Sequence, residues 1–236
     1  MYGSKAKIGL LLPSANTIME GEFNALKPDG VSVHAARMLI RFPNIEELAK
    51  MAEETEKATE LISTAKPSII AFGCTTGSVL NGLGWDEKLI SRIQKIAKVH
   101  ATTTATAVIR AFKELEIHKI AVVTPYIEEL NKLEKDFFED SGITVLEIRG
   151  IDLGGEEMEM LTLEKIADHA RAVNTSDADA VFLSCTNLKA LPIVEQLEKE
   201  LGKYVFSSNI ATYWDVMRRL GIKQSITGMG KLLERI

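Results

Sequence analysis

Hydrophobic and polar residues alternate along this chain in two kinds of segment. Short apolar runs, several rich in β-branched residues, are typical of strands; they are KIGLLL (7–12), VSVHAA (31–36), SIIAF (68–72), KIAVVT (119–124), ITVLEI (143–148) and AVFLS (180–184). Between them, IEELAKMAEETEKATELIS (45–63) and IEELNKLEKDFFEDS (127–141) carry apolar residues at the three- and four-residue intervals of amphipathic helices. This alternation predicts an α/β fold with parallel strands and helices on both faces.

The pattern of the first half recurs in the second half. Gly30 follows Pro13 by 17 residues, and Gly142 follows Pro125 by the same 17 residues. A cysteine comes 44 residues after the first glycine and 43 residues after the second. The two halves end in segments that align without a gap, TTTATAVIRAFKELEI (102–117) and SSNIATYWDVMRRLGI (207–222). These matches in the same order indicate a duplication, and we expect helices over 103–115 and 210–220 in equivalent positions.

We therefore expect two domains, each a parallel-sheet unit, related by a pseudo-twofold axis. The predicted domains are residues 1–115 and residues 116–236, with the last helix of the chain packing back on the first unit. Each domain carries one of the two cysteines of the chain.

Both cysteines have nearly the same local sequence. Cys74 lies in FGCTTGS (72–78) and Cys185 lies in LSCTNLK (183–189), each directly after a predicted strand. Ligands of open parallel sheets bind at the carboxyl ends of the strands, where loops lead into helices. If the two units face each other, both thiols line one cleft, and we expect the active site there.

Two facing thiols suit chemistry on a small carboxylic acid. A thiolate is a strong nucleophile, and its pKa falls near a helix N-terminus, where we expect both cysteines to lie. The N–H groups there, with the hydroxyls of Thr75, Thr76 and Thr186, form a cradle for a carboxylate. One sulfur on each face of the bound acid favours proton exchange, or thiolate attack on a conjugated double bond.

Structural interpretations of the same residues stay open at this point. Unpaired cysteine is often a buried core residue, and a disulfide is disfavoured in a reducing compartment. Asn16 or Ser14, in LPSANT (12–17), caps a helix or binds a ligand. Tyr126, in TPY (124–126), points its hydroxyl into the cleft or into solvent, and Asn187 is a turn residue or a ligand.

Composition and motifs limit the classes of partner and cofactor that we expect for this chain. The chain has 236 residues, a net charge of −5 and no Lys/Arg cluster, so we expect neither a nucleic-acid nor a membrane partner. No metal-ligand spacing, Walker loop or dinucleotide fingerprint occurs, and we expect no metal and no cofactor. The N-terminal MYGSKAK lacks an apolar signal core, which predicts a cytoplasmic protein. The acidic run EEMEM (156–160) is interpreted as a solvated stretch.

Together these motifs resemble the aspartate/glutamate racemase superfamily, and within it the maleate isomerase and arylmalonate decarboxylase group. The resemblance runs through IGLLLPSANTIMEGEF (8–23), GCTTGS (73–78), VVTPY (122–126) and SCTNLKAL (184–191). It implies two pseudo-symmetric, flavodoxin-like units, cofactor-independent chemistry between them, and a tendency to form homo-oligomers. It also implies that Cys74 is the nucleophile or base and Cys185 the opposing acid or base. The carboxylate-binding residues that it implies are Asn16, Thr75, Thr76, Tyr126 and Thr186.

The function expected from this resemblance is maleate-to-fumarate cis–trans isomerisation, or the same chemistry on a close relative of maleate. The alternatives are an amino-acid or hydantoin-type racemase, an arylmalonate-type decarboxylase, and a carboxylate-binding protein without catalysis. The decarboxylases of the group carry glycine at the first cysteine position, so Cys74 favours an isomerase or racemase. In the loop 151–159, where the maleate isomerases carry an asparagine, this chain has Gly154 and Gly155 and no asparagine.

Overall fold

The computed structural model describes residues 3–151, 158 and 161–236, and its strands form two four-stranded sheets. The first sheet contains β1 (Ala6–Pro13), β2 (Val31–Met38), β3 (Ile69–Phe72) and β4 (His100–Thr103). The second contains β5 (Lys119–Thr124), β6 (Thr144–Gly150), β7 (Ala180–Leu183) and β8 (Tyr204–Ser207). The strand orders, β2-β1-β3-β4 and β6-β5-β7-β8, are equivalent, and every pairing is parallel. The predicted α/β architecture of two duplicated parallel sheets is confirmed.

Helices connect the strands in both units. In the first unit they are α1 (Met19–Leu26), α2 (Ile45–Glu53), α3 (Thr55–Ser63), α4 (Thr75–Val79), α5 (Trp85–Ala97) and α6 (Thr104–Glu114). In the second they are α7 (Glu128–Asp140), α8 (Leu163–Val173), α9 (Val194–Leu201) and α10 (Ser208–Arg219), with short 3-10 helices at Leu191–Ile193 and Leu233–Arg235. Helices α6 and α10 agree with the predicted segments. None of the helices in the described ranges combines the length and apolar composition needed to cross a membrane.

The sequence pattern misses two features of this architecture. The fourth strand of each sheet, HATT in β4 and YVFS in β8, is too short and too polar to give an apolar run. The segment with helical periodicity over 45–63 is divided at Glu54 into two helices, α2 and α3. There the hydroxyl of Thr55 donates to the carbonyl of Ala52, a local bond of the kind that competes with the helical pattern.

The last helix of each unit packs against the other unit. Phe112 of α6 lies edge-on to Phe182 of β7, with ring centroids 5.7 Å apart. Tyr213 of α10 lies edge-on to Phe23 of α1 at 5.3 Å, and its hydroxyl donates to the carbonyl of Leu26. The hydrophobic core is therefore continuous across the two sheets, and the domain boundary at residues 115 and 116 stays a prediction.

Candidate active site

A cavity of about 650 Å³ opens at the carboxyl ends of the strands, between the two units. Cys74 follows β3 after one intervening glycine, and Cys185 follows β7 after one intervening serine, so both thiols reach the same edge. All seven predicted site residues line the cavity: Asn16, Cys74, Thr75, Thr76, Tyr126, Cys185 and Thr186. The duplication thus brings two thiols from opposite halves of the sequence into one space.

Cys74 caps the short helix α4. Its sulfur accepts a hydrogen bond from the N–H of Gly77 at 3.3 Å and lies 3.8 Å from the hydroxyl oxygen of Thr76. Burial raises the pKa of the Cys74 thiol above its ordinary value, and these two donors offset only part of the rise. The lowered pKa expected at a helix N-terminus is therefore wrong for Cys74 in this structure, because desolvation outweighs the donors.

Cys185 is also held as a thiol. Burial raises its pKa to about 12, while the Tyr126 hydroxyl and the N–H of Asn187 act in the opposite direction. That N–H donates to the Cys185 sulfur at 3.3 Å. The negative charges of Cys74 and Glu134 raise the pKa further. An acid with so high a pKa keeps its proton at neutral pH, and it suits proton donation to a carbanion.

The expectation that Cys185 stands at a helix N-terminus is wrong. A turn follows it, and the next α-helix begins only at Val194, after a 3-10 helix that contains Pro192. The side-chain oxygen of Asn187 accepts a hydrogen bond from the N–H of Thr17 at 2.9 Å, which ties the turn to the first unit. Cys185 itself has a φ of +137°, a backbone conformation that residues other than glycine rarely adopt.

Two threonine hydroxyls connect the cysteine loops across the interface. The hydroxyl of Thr75 donates to Oγ of Ser208 at 2.9 Å, and the same Oγ accepts from the N–H of Cys185 at 3.1 Å. The hydroxyl of Thr186 donates to the carbonyl of Gly73 at 3.1 Å. Each of these protons is used inside the protein, so Thr75 and Thr186 fix the positions of the loops.

Asn16 caps a helix and also presents a donor to the cavity, the two roles that its sequence context suggests. Its Oδ1 accepts from the N–H groups of Ile18 and Met19 at 3.1 and 3.0 Å, where α1 begins. Its Nδ2 donates to Thr186 at 3.0 Å and leaves a second N–H on the cavity wall. Ser14 has a different role, because its hydroxyl bonds to the backbone of Ile40 after β2.

Tyr126 points into the protein and not into solvent. It is 5% exposed, and its hydroxyl faces Cys185. Burial, followed by the charge of Cys185, holds the pKa of Tyr126 well above its ordinary value, so the hydroxyl remains a donor. The backbone around it is fixed by Thr124, which accepts from the N–H of Tyr126, and by Asn131, which donates to its carbonyl.

The sequence motifs missed one wall of the cavity. The segment after β2 contributes Ile40, Arg41, Phe42 and Pro43, and Leu48 of α2 lies behind it. Arg41 places a cation on the cavity wall, and its Nη1 lies 3.9 Å from a carboxylate oxygen of Glu47. The carboxyl-end rule applies to β2 as it does to β3, so it would have identified this segment.

The corresponding segment of the second unit is 151–159, where a missing asparagine was noted. It lies outside the described residues except for Ile151 and Met158, and Met158 lines the cavity. The acidic run 156–160 also lies outside the described residues apart from Met158. Among the described residues, no cluster of His, Cys, Asp and Glu has the arrangement of a metal site.

The fold and the cavity define a two-unit α/β protein with one buried thiol from each unit facing a common site. The chain matches the model of the arylmalonate decarboxylase family over residues 8–233, and it belongs to that family. It is similar to the maleate isomerase of Nocardia farcinica, with 28% identity over 97% of this chain and 96% of that protein. It is also similar to the maleate isomerase of Alcaligenes faecalis, with 26% identity over 98% and 97%.

The same likeness extends to solved structures. One is a cysteine-to-serine mutant of Nocardia farcinica maleate cis-trans isomerase with a covalently bound succinylcysteine intermediate. The TM-score is 0.94 at 26% identity, and the match covers 98% of this chain and 99% of that chain. The motif resemblance stated from the sequence is therefore confirmed at the level of the family.

Proposed function

We propose that this protein is a cofactor-independent isomerase that converts maleate to fumarate with Cys74 and Cys185. The observation that carries the proposal is the pair of buried thiols, one from each unit, that line one cavity. The similarity to maleate isomerases over nearly the whole chain supports the choice of substrate.

In the proposed reaction Cys74 acts as the nucleophile, and Cys185 donates and accepts the proton. Cys74 loses its proton to solvent once, before the first turnover, and its thiolate adds to one carbon of the double bond. The π electrons move to the other carbon, next to a carboxylate. Cys185 gives its proton to that carbon, which leaves a succinyl group on Cys74 and a thiolate at Cys185. The carbon–carbon bond that was double is now single, and the adduct rotates about it. The Cys185 thiolate then takes a proton back from carbon, the double bond re-forms, and the Cys74 thiolate leaves.

Two donor sets bind the two carboxylates in this proposal. One consists of the free N–H of Asn16 and the N–H groups at the start of α4, while the Thr76 hydroxyl serves the Cys74 sulfur. The other consists of the Tyr126 hydroxyl and the N–H groups that follow Cys185. Thr75 and Thr186 act through the loops that they join. Donors that are already in place stabilise the charge that develops during addition without reorganisation.

The test is direct. The protein is incubated with maleate, fumarate is followed by proton NMR, and the intact mass is measured for an adduct on Cys74. Absence of both fumarate and adduct rejects maleate as the substrate. Deuterium incorporation into an amino acid or a hydantoin, without isomerisation of maleate, indicates the racemase alternative.

Three further expectations remain proposals. They are the division into domains at residues 115 and 116, a cytoplasmic location, and assembly into a homo-oligomer. Light scattering of the purified protein tests the last, and a monomer at micromolar concentration contradicts it.

A further inference from the structure

Glu134 is a buried carboxyl group without a function in the reaction described above. It lies on α7, and its side chain is completely shielded from solvent. Neither carboxyl oxygen has a hydrogen-bond partner within the described part of the chain. Buried polar atoms are nearly always paired, so a buried carboxyl without a partner requires an explanation.

The surroundings of Glu134 belong to the second thiol. Its helix α7 begins two residues after Tyr126 and packs against α4, the helix that Cys74 caps. An ionised Glu134 raises the pKa of both Cys185 and Tyr126. The hydroxyl of Ser184, the residue before Cys185, is close enough to favour the charged carboxylate. Neither this hydroxyl nor the carboxyl reaches hydrogen-bond geometry, and Ser184 Oγ is itself buried and unpaired among the described residues.

No cation compensates Glu134 from the described elements around it. On its own helix, Lys132 is exposed and pairs with Asp136, and Lys135 is half-buried and pairs with Glu139. On β6, Glu147 and Arg149 are exposed and lie 3.9 Å apart. Helix α4, which packs against α7, carries no charged side chain. Burial therefore raises the pKa of Glu134 to about 7, with only Ser184 acting in the other direction.

We propose that Glu134 is a positioning residue for Cys185, a buried carboxyl whose neutral form permits proton transfer at that thiol and whose ionised form blocks it. The inference rests on the proposed function, in which Cys185 passes from thiol to thiolate and back in every turnover. A neutral Glu134 leaves the Tyr126 hydroxyl and the Asn187 N–H to stabilise the thiolate. An ionised Glu134 adds a second negative charge in a region of low dielectric, so the thiolate intermediate becomes less stable.

The first experiment is a pH profile of maleate turnover. We expect kcat of the unmodified protein to fall above about pH 7, and we expect Glu134→Gln to remove this alkaline limb because glutamine cannot ionise. Ser184→Ala removes the one group that favours the carboxylate, so the limb moves to higher pH. The matched control is Glu139→Gln, an exposed glutamate at the far end of the same helix, which retains the limb. An identical limb in Glu134→Gln, or none in the unmodified protein, overturns the proposal.

The second experiment does not depend on isomerisation. In a Cys74→Ala background Cys185 is the remaining thiol, and its alkylation by iodoacetamide at about pH 9 reports the thiolate fraction. We expect Glu134→Gln in this background to increase the rate severalfold, and Glu139→Gln to leave it unchanged. If Cys74→Ala is alkylated at the same rate with and without Glu134→Gln, the proposal is rejected even when maleate proves to be a substrate. A faster rate without maleate turnover upholds the role of Glu134 and rejects the substrate instead.

Discussion

The hydroxyl of Thr75 donates a 2.9 Å hydrogen bond to Ser208, which joins the loop of the first cysteine to the helix that follows β8. Because Ser208 Oγ also accepts from the N–H of Cys185, one buried oxygen fixes both cysteine loops. The separation of the two thiols therefore depends on a residue that does not line the cavity among those described.

Replacement of Ser208 tests this relationship. Ser208→Ala leaves the Thr75 hydroxyl and the Cys185 N–H without their partner, so we expect a loss of about 1–3 kcal/mol in the free energy of unfolding. We also expect kcat for maleate to fall at least about tenfold, because the two sulfurs are no longer held at a fixed separation. Ser63→Ala, which removes a hydroxyl bonded only within α3, is the control and retains kcat. Unchanged turnover in Ser208→Ala would show that the bridge is dispensable.

The two cysteines have unequal roles. Cys74→Ala removes the nucleophile, so we expect no covalent adduct when the protein is mixed with maleate. Cys185→Ala removes both the proton donor of the first half-reaction and the proton acceptor of the second. Solvent must then protonate the carbanion, so we expect an adduct that forms slowly and persists. Intact mass spectrometry distinguishes the two variants, and equal residual turnover in both would contradict this division.

Tyr126 supplies a donor where charge develops. Tyr126→Phe keeps the ring and removes the hydroxyl, and we expect kcat to fall by about 10²-fold, as for loss of an oxyanion donor. Tyr204→Phe is the matched control, because Tyr204 lies beneath Lys231, outside the cavity. If Tyr126→Phe turns over at the original rate, the hydroxyl has no part in the site.

Glu134 makes the stability of the protein depend on pH. Its pKa is raised from 4.5 to about 7 in the folded state, so the folded protein binds the proton more tightly than the unfolded chain. The resulting stabilisation is complete below about pH 4.5 and is lost as the pH rises through about 7, a change of about 3 kcal/mol. Urea titrations of the unmodified protein and Glu134→Gln at about pH 5 and about pH 8 measure it. The difference between the two proteins should shift in favour of the glutamine variant at the higher pH; a constant difference would mean that Glu134 does not titrate in this range.

Arg41 contributes to capture of a dianion. Its guanidinium is exposed at the cavity wall and only loosely paired with Glu47, so it can attract a carboxylate from solvent. We expect Arg41→Gln to raise KM for maleate severalfold at low salt and to have less effect as salt screens the charge. Arg92→Gln, an arginine that stacks on Trp85 outside the cavity, is the control. A KM for Arg41→Gln that is unchanged at low salt would exclude this role.

Part of this protein can be predicted from local sequence patterns. Apolar runs of strand length, helical periodicity and the repeated Pro–Gly–Cys spacing indicate two parallel-sheet units with a cysteine at the carboxyl edge of each. These signals depend on the period of apolar side chains along each helix or strand, and that period is determined by residues close together in the sequence. The same rule places the segments of the seven predicted site residues at one edge, because the carboxyl end of a parallel strand is where loops open, and the family resemblance selects the residues within those segments.

Only the tertiary structure determines the hydrogen-bond partners, the burial and the pKa values of those residues. Thr75 and Thr186 look like free donors in the sequence, but contacts with Ser208 and Gly73 use their protons. Both cysteines were expected to have a lowered pKa, yet burial raises it, because desolvation depends on all the atoms around a thiol. Arg41 and Glu134 were not selected at all. The segment of Arg41 lies at the carboxyl end of a strand but carries no motif, and no residue near Glu134 in the sequence marks a carboxyl that becomes buried without a partner among the described residues. Hydrogen-bond partners, burial and charge proximity arise only when distant segments meet, so these properties are fixed by the fold and not by the residues next in sequence.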